Sequence, residues 1–130
     1  MREMKTVLAV DDSSTMRMAV SMVLKSQGYE VTTANDGKEA LEKMRSGTRF
    51  NLIITDLNMP NVDGISLIKE ARRMVRYDST PIVVLTTETD AATIAAGREA
   101  GANDWIAKPF KPQNLIDVIS KVQADVLPVI

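Results

Sequence analysis

Short unbroken apolar runs alternate with helical stretches along this chain, and that alternation restricts its possible folds more than any other feature. Residues 6–10, 52–54 and 82–85 are rich in branched apolar side chains and show no polar alternation. Such runs suit strands covered on both faces, as in parallel sheets. Weaker strands are expected at 29–33, after Gly28, and at 105–107, after the turn at Gly101. Between the runs lie helical patterns. Met16, Ala19, Val20, Val23 and Leu24 form one apolar stripe behind the capping candidates Ser13 and Ser14. A second helix is expected over 36–44, closed by Gly47. Asp63 can cap a third that carries Ile65, Ile68 and Val75. Ala91, Ile94 and Ala95 mark a fourth, and Pro112 opens a fifth before Leu115, Ile119 and Val122. Five strands alternating with five helices, joined by right-handed crossovers, give an α/β fold. The expectation is a doubly wound five-stranded parallel sheet with helices on two faces.

Composition bounds the chemistry. The 130 residues fit one domain, and nothing in 1–130 resembles a linker. With 16 basic and 17 acidic residues the net charge is −1, too low for binding nucleic acid through counterion release. There is no Cys, hence no disulfide, thiolate zinc site or cysteine nucleophile, and no His, hence no imidazole base. The first apolar run is cut off by Asp11 and Asp12, so no signal-peptide core forms. No uncharged run reaches the roughly 18 residues needed to cross a bilayer. A cytoplasmic protein without membrane insertion is expected. Its chemistry must rest on carboxylates, hydroxyls, lysine and backbone. The eight methionines read as core filler and helix formers, and Arg72, Arg73 and Arg76 as complements to the third helix's dipole. The tail from Pro128 to Ile130 has no assigned role.

Parallel sheets place ligand sites beyond the carboxyl ends of their strands. Asp11 and Asp12 follow the first run; Asp56 follows the third; Thr86 ends the fourth, with Glu88 beyond it; Lys108 follows the fifth. Three acids, a hydroxyl and an ammonium therefore converge on one rim. Two carboxylates about 4 Å apart repel by about 4 kcal/mol at an effective dielectric of 20. Such a group takes up protons or recruits a cation. An all-oxygen donor set selects a hard ion, Mg²⁺ above all and Mn²⁺ as a substitute. Lys108 could then neutralise a transferring phosphoryl group on the side away from the metal. The Lys108-Pro109 bond is open to the cis form.

The segments Val10-Asp-Asp-Ser-Ser-Thr-Met-Arg17, Thr55-Asp-Leu-Asn-Met-Pro-Asn-Val-Asp-Gly64, Val84-Leu-Thr-Thr-Glu88, Gly101-Ala and Lys108-Pro-Phe110 occur in this order across almost the whole chain. In that order and spacing the sequence resembles the receiver domains of two-component response regulators, and among them the stand-alone chemotaxis receivers. The resemblance implies the strand order 2-1-3-4-5 and the absence of an output domain. It implies that Asp56 is the phosphoacceptor, with Asp12, Asp56 and the Asn58 backbone carbonyl binding Mg²⁺ directly and Asp11 holding it through water. Lys108 would contact the phosphate, and Thr86 would be the switch hydroxyl. Asn58 and Glu88 would tune dephosphorylation, giving a short-lived acyl phosphate.

Trp105 departs from the usual Tyr or Phe at the aromatic switch position. Indole is bulkier, and its N–H needs a partner when buried, so strain or weaker coupling is expected. The donor implied is a sensor kinase phosphohistidine of the chemotaxis type. The output implied is the flagellar motor switch or another protein bound through helix 4, strand 5 and helix 5, with a phosphatase as a possible further partner. Moving a two-state protein from 1:99 to 99:1 takes about 5.5 kcal/mol of differential interaction. A monomer is expected. A phosphorelay shuttle and a pilus-motility receiver remain open alternatives.

Other classes fit less well. An aspartate-nucleophile phosphatase of the haloacid-dehalogenase type needs an acid two residues beyond the nucleophile, where this chain has Asn58. A flavodoxin-like FMN carrier needs a hydroxyl- or glycine-rich loop where Asp11 and Asp12 stand. No Gly-x-x-x-x-Gly-Lys run supports a P-loop enzyme.

Overall fold

A computed structural model describes residues 5–125. The elements run β1 (Thr6–Val10), α1 (Ser14–Ser26), β2 (Glu30–Ala34), α2 (Gly37–Arg45), β3 (Leu52–Thr55), α3 (Gly64–Arg73), a 3-10 turn (Val75–Tyr77), β4 (Ile82–Thr86), α4 (Ala91–Ala100), β5 (Asp104–Ala107) and α5 (Pro112–Asp125). The five strands form one parallel sheet in the order β2-β1-β3-β4-β5.

Side-chain alternation divides the core between the two faces of the sheet. Leu8, Val10, Ile53 and Val84 meet Leu41, Met44, Leu67 and Ile68 from α2 and α3. Val7, Ile54, Val83 and Leu85 meet Leu24 of α1 and Leu115 and Ile119 of α5 on the other face. Every central strand is thereby covered twice, which is why its sequence is apolar without alternation. Helix starts follow their caps. Ser13, Asp36, Asp63 and Asp90 each accept the backbone N–H three residues on, from Met16, Glu39, Ser66 and Thr93.

Several expectations are corrected. Val75 is not on the third helix: α3 ends at Arg73, and Val75 opens the 3-10 turn with 88% of its surface exposed. Tyr29 lies outside β2, which starts one residue later, and Asp36 caps α2 from outside it. Arg72 and Arg73 do lie in the last turn of α3, where they complement its dipole, but Arg72 does more than that. Its half-buried guanidinium donates to the carbonyls of Tyr77, Thr80 and Gly101 and to Asn103 Oδ1, at 2.7 to 3.1 Å. Arg73 pairs with Glu70, one turn back. Arg76 lies in the 3-10 turn beyond α3. The methionines divide as expected between core and helix: Met44 is buried, and Met18 and Met22 stand exposed on α1. Pro128 to Ile130 lie outside the described residues.

Candidate functional site

Register places the acidic residues. Val10 of β1 is paired with Thr55 of β3, so Asp11 and Asp56, each the next residue, leave adjacent strands side by side. The Asp56 N–H donates to the Val10 carbonyl at 3.0 Å, carrying the ladder one step past the assigned strands. Thr86 of β4 is paired with Ala107 of β5, and Lys108 follows, its N–H donating to the Thr86 carbonyl at 2.9 Å. The Lys108-Pro109 bond is cis.

From there Lys108 reaches back across the rim. Its Nζ lies 2.6 Å from Asp11 Oδ2 and 3.0 Å from Asp56 Oδ2, with all three side chains nearly buried. Burial by itself would lower the Lys108 pKa, but the hydrogen bonds and charges of Asp11 and Asp56 outweigh it and raise the value above 10.5. The ammonium is therefore fully charged at neutral pH. The other carboxylate oxygens are held by backbone: Asp11 Oδ1 accepts from Ser13 N–H at 3.0 Å, and Asp56 Oδ1 from Leu57 N–H at 2.7 Å. Asp12 is exposed and makes no side-chain hydrogen bond among the described residues. One oxygen from each of Asp11, Asp12 and Asp56 can be chosen within 4.8 Å of the others. Three carboxylates face one ammonium, so the group keeps excess negative charge. The donor set fits a hard divalent cation.

A second cluster adjoins this one, and Glu88 joins its parts. The Glu88 N–H donates to Thr86 Oγ1 at 3.2 Å, its carboxylate accepts from Asn58 Nδ2 at 2.9 Å, and its carbonyl accepts from Trp105 Nε1 at 3.1 Å. Thr86, the last residue of β4, is fully buried, whereas Thr87, just beyond the strand, is exposed. The polar partner that an indole needs is thus supplied by the β4–α4 connection. All eight sequence-chosen residues fall in these two clusters.

The sequence reasoning passed over Gly64. A Cβ there would lie 2.2 Å from the Asp56 carbonyl oxygen and 2.7 Å from Leu57 Cα, so only glycine lets α3 start against the backbone of Asp56. The signal was present as the Asp63-Gly64 pair opening an apolar helix. Arg17 also supports the site: its guanidinium donates to the Asp11 carbonyl at 2.6 Å, bracing the loop after β1.

Residues 7–120 match the family described as the response regulator receiver domain. The chain belongs to that family. Chemotaxis protein CheY1 of Helicobacter pylori is 41% identical over 117 residues, which cover 89% of this chain and 94% of the relative. Chemotaxis protein CheY4 of Vibrio cholerae is 45% identical, with a TM-score of 0.88 over 92% of this chain and 99% of that one. The receiver domain of the Pseudomonas aeruginosa sensor histidine kinase PA1611, solved with a magnesium ion in its active site cleft, is 29% identical. Its TM-score is 0.86, covering 94% of this chain and 99% of that one. This receiver is accordingly a response regulator of two-component signalling, homologous to the CheY proteins. It is a signalling switch that works with a histidine kinase upstream and protein targets downstream.

Proposed function

We propose that this receiver accepts a phosphoryl group on Asp56 from a kinase phosphohistidine, switches a protein-binding face, and returns to rest by hydrolysis of its own acyl phosphate. The observation that carries the reading is Lys108 bridging Asp11 and Asp56 with Asp12 alongside. A single ammonium facing three carboxylates is an arrangement built to take further positive charge and then phosphate.

In the transfer, an Asp56 carboxylate oxygen forms the new bond to phosphorus while the phosphorus–nitrogen bond to the donor imidazole breaks, its electron pair remaining on nitrogen. The Leu57 N–H fixes the orientation of the Asp56 carboxylate, and Lys108 neutralises charge as the phosphoryl oxygens arrive. Asp12, Asp56 and the Asn58 carbonyl, with Asp11 through water, would hold Mg²⁺ or Mn²⁺, which supplies charge compensation for those oxygens. The Thr86 hydroxyl then turns toward the phosphate and loosens its bond with the Glu88 N–H. Because Glu88 also holds Trp105 and Asn58, that movement reaches both the aromatic switch and the pair that tunes dephosphorylation. The altered surface is the face of α4, β5 and α5.

The relatives named as chemotaxis proteins favour motility control, with a chemotaxis kinase as donor and the flagellar motor switch as target, in the cytoplasm. The decisive test is incubation with acetyl phosphate and Mg²⁺ followed by intact mass. A single phosphoryl adduct that is lost in Asp56→Asn is expected; an unmodified wild-type protein overturns the reading.

A further inference from the structure

Gly97 lies buried within α4, in an alanine-rich stretch. Its φ is not left-handed, so backbone conformation does not call for glycine there. Glycine is also the costliest residue in a helix interior after proline, so a lone one among alanines needs a packing reason. The reason is the indole of Trp105. A Cβ on Gly97 would sit 2.5 Å from Cζ3, 3.3 Å from Cη2 and 3.4 Å from Cε3 of that ring. The six-membered ring therefore rests directly on the helix backbone, while Nε1 at the other end of the indole donates to the Glu88 carbonyl. One end needs the notch and the other needs the carbonyl, and a rigid bicycle can satisfy both in one orientation only.

We propose that Gly97 is a positioning residue matched to Trp105: it provides the notch that seats the indole so that Nε1 reaches Glu88. Even one methyl group at position 97 turns the ring out and breaks the bond to Glu88. In consequence, a substitution on α4 that touches neither Asp56 nor Thr86 uncouples the aromatic side chain from the rim. The seating stands on geometry alone; its effect on signalling rests on the phosphoacceptor reading above.

Trp105 is the only tryptophan, so its emission reports the seat directly. In Gly97→Ala the emission maximum is expected to move several nanometres to the red and acrylamide quenching to rise about twofold. The change in emission induced by beryllofluoride is expected to fall by at least half. The acetyl phosphate adduct on Asp56 is expected to remain. Thermal unfolding completes a double-mutant cycle. In Trp105→Leu, where no ring occupies the notch, Gly97→Ala should raise the melting temperature through helix propensity; with Trp105 present it should not. An unchanged emission and quenching in Gly97→Ala, or the same melting shift in both backgrounds, overturns the proposal. Loss of the phosphoryl adduct in wild type would instead overturn the phosphoacceptor reading and leave the seat to be judged by emission.

Discussion

Lys108 Nζ lies 2.6 Å from Asp11 Oδ2, a contact between residues 97 positions apart that closes the rim of the sheet. The same nitrogen touches Asp56. Removing it leaves two nearly buried carboxylates side by side with nothing between them. Lys108→Met is therefore expected to cost about 2–4 kcal/mol in metal-free buffer. Millimolar Mg²⁺ should recover much of that loss, because a ligand that binds only the folded state stabilises it. Urea unfolding with EDTA and with Mg²⁺ checks this: the stabilisation by Mg²⁺ must be larger in the variant than in wild type.

Asp12 contributes charge without contributing structure. It is exposed and its side chain makes no hydrogen bond among the described residues. Asp12→Ala is expected to stabilise the metal-free protein by about 1 kcal/mol, because it removes one of three mutually repelling carboxylates. The same change should lower Mg²⁺ affinity by at least about tenfold, since the site loses one formal charge and a donor. Titration followed by Trp105 emission, together with urea unfolding in EDTA, separates the two effects.

Arg72 ties the connection between α3 and β4 to the turn before β5. Arg72→Met would leave carbonyls of Tyr77, Thr80 and Gly101 without their donor, at an expected cost of about 2–4 kcal/mol. Arg72→Lys should recover less than half of it, because one ammonium cannot match the planar fork. Phosphorylation of Asp56 by acetyl phosphate should proceed at the wild-type rate in the folded fraction of either variant.

Asp36 carries an acid dependence with a definite sign. Hydrogen bonds from the Glu39 N–H, the Asn61 amide and the Lys38 backbone hold its carboxyl below the ordinary value of 3.8, against a small effect of burial. A carboxyl lowered on folding stabilises the protein above its unfolded pKa and loses that contribution as pH falls through the folded one. Asp36→Ala is therefore expected to be about 1 kcal/mol less stable than wild type at pH 7. The gap should narrow as pH falls below 3.8, which unfolding by urea from pH 7 to pH 2.5 measures.

Much of the fold is readable in the sequence because twice-covered strands leave no polar positions. Runs such as Leu52–Thr55 therefore announce themselves, and the residues just beyond them fall at one edge by topology. Strand boundaries at the sheet's margin, such as the start of β2 at Glu30, carry weaker apolar signals and shift by a residue. Long side chains were the harder case. Nothing local to Arg72 reveals that it bonds to Gly101, 29 residues away, or that Val75 falls off the helix its spacing fits. Close approaches were equally hidden. Gly64 against Asp56 and Gly97 against Trp105 depend on which backbones and rings meet in space, and a glycine in sequence does not name its neighbour.

The order in which the rim acquires its parts follows from where β5 lies in the chain. As the polypeptide leaves the ribosome, Asp11, Asp12 and Asp56 emerge long before Lys108, which arrives with the last strand and must then cross the sheet's edge to reach them. Until that strand docks, a nascent chain presents an acid cluster with no lysine to balance it. The charge balance of the rim is therefore a property of the whole sheet, complete only once β5 has docked beside β4.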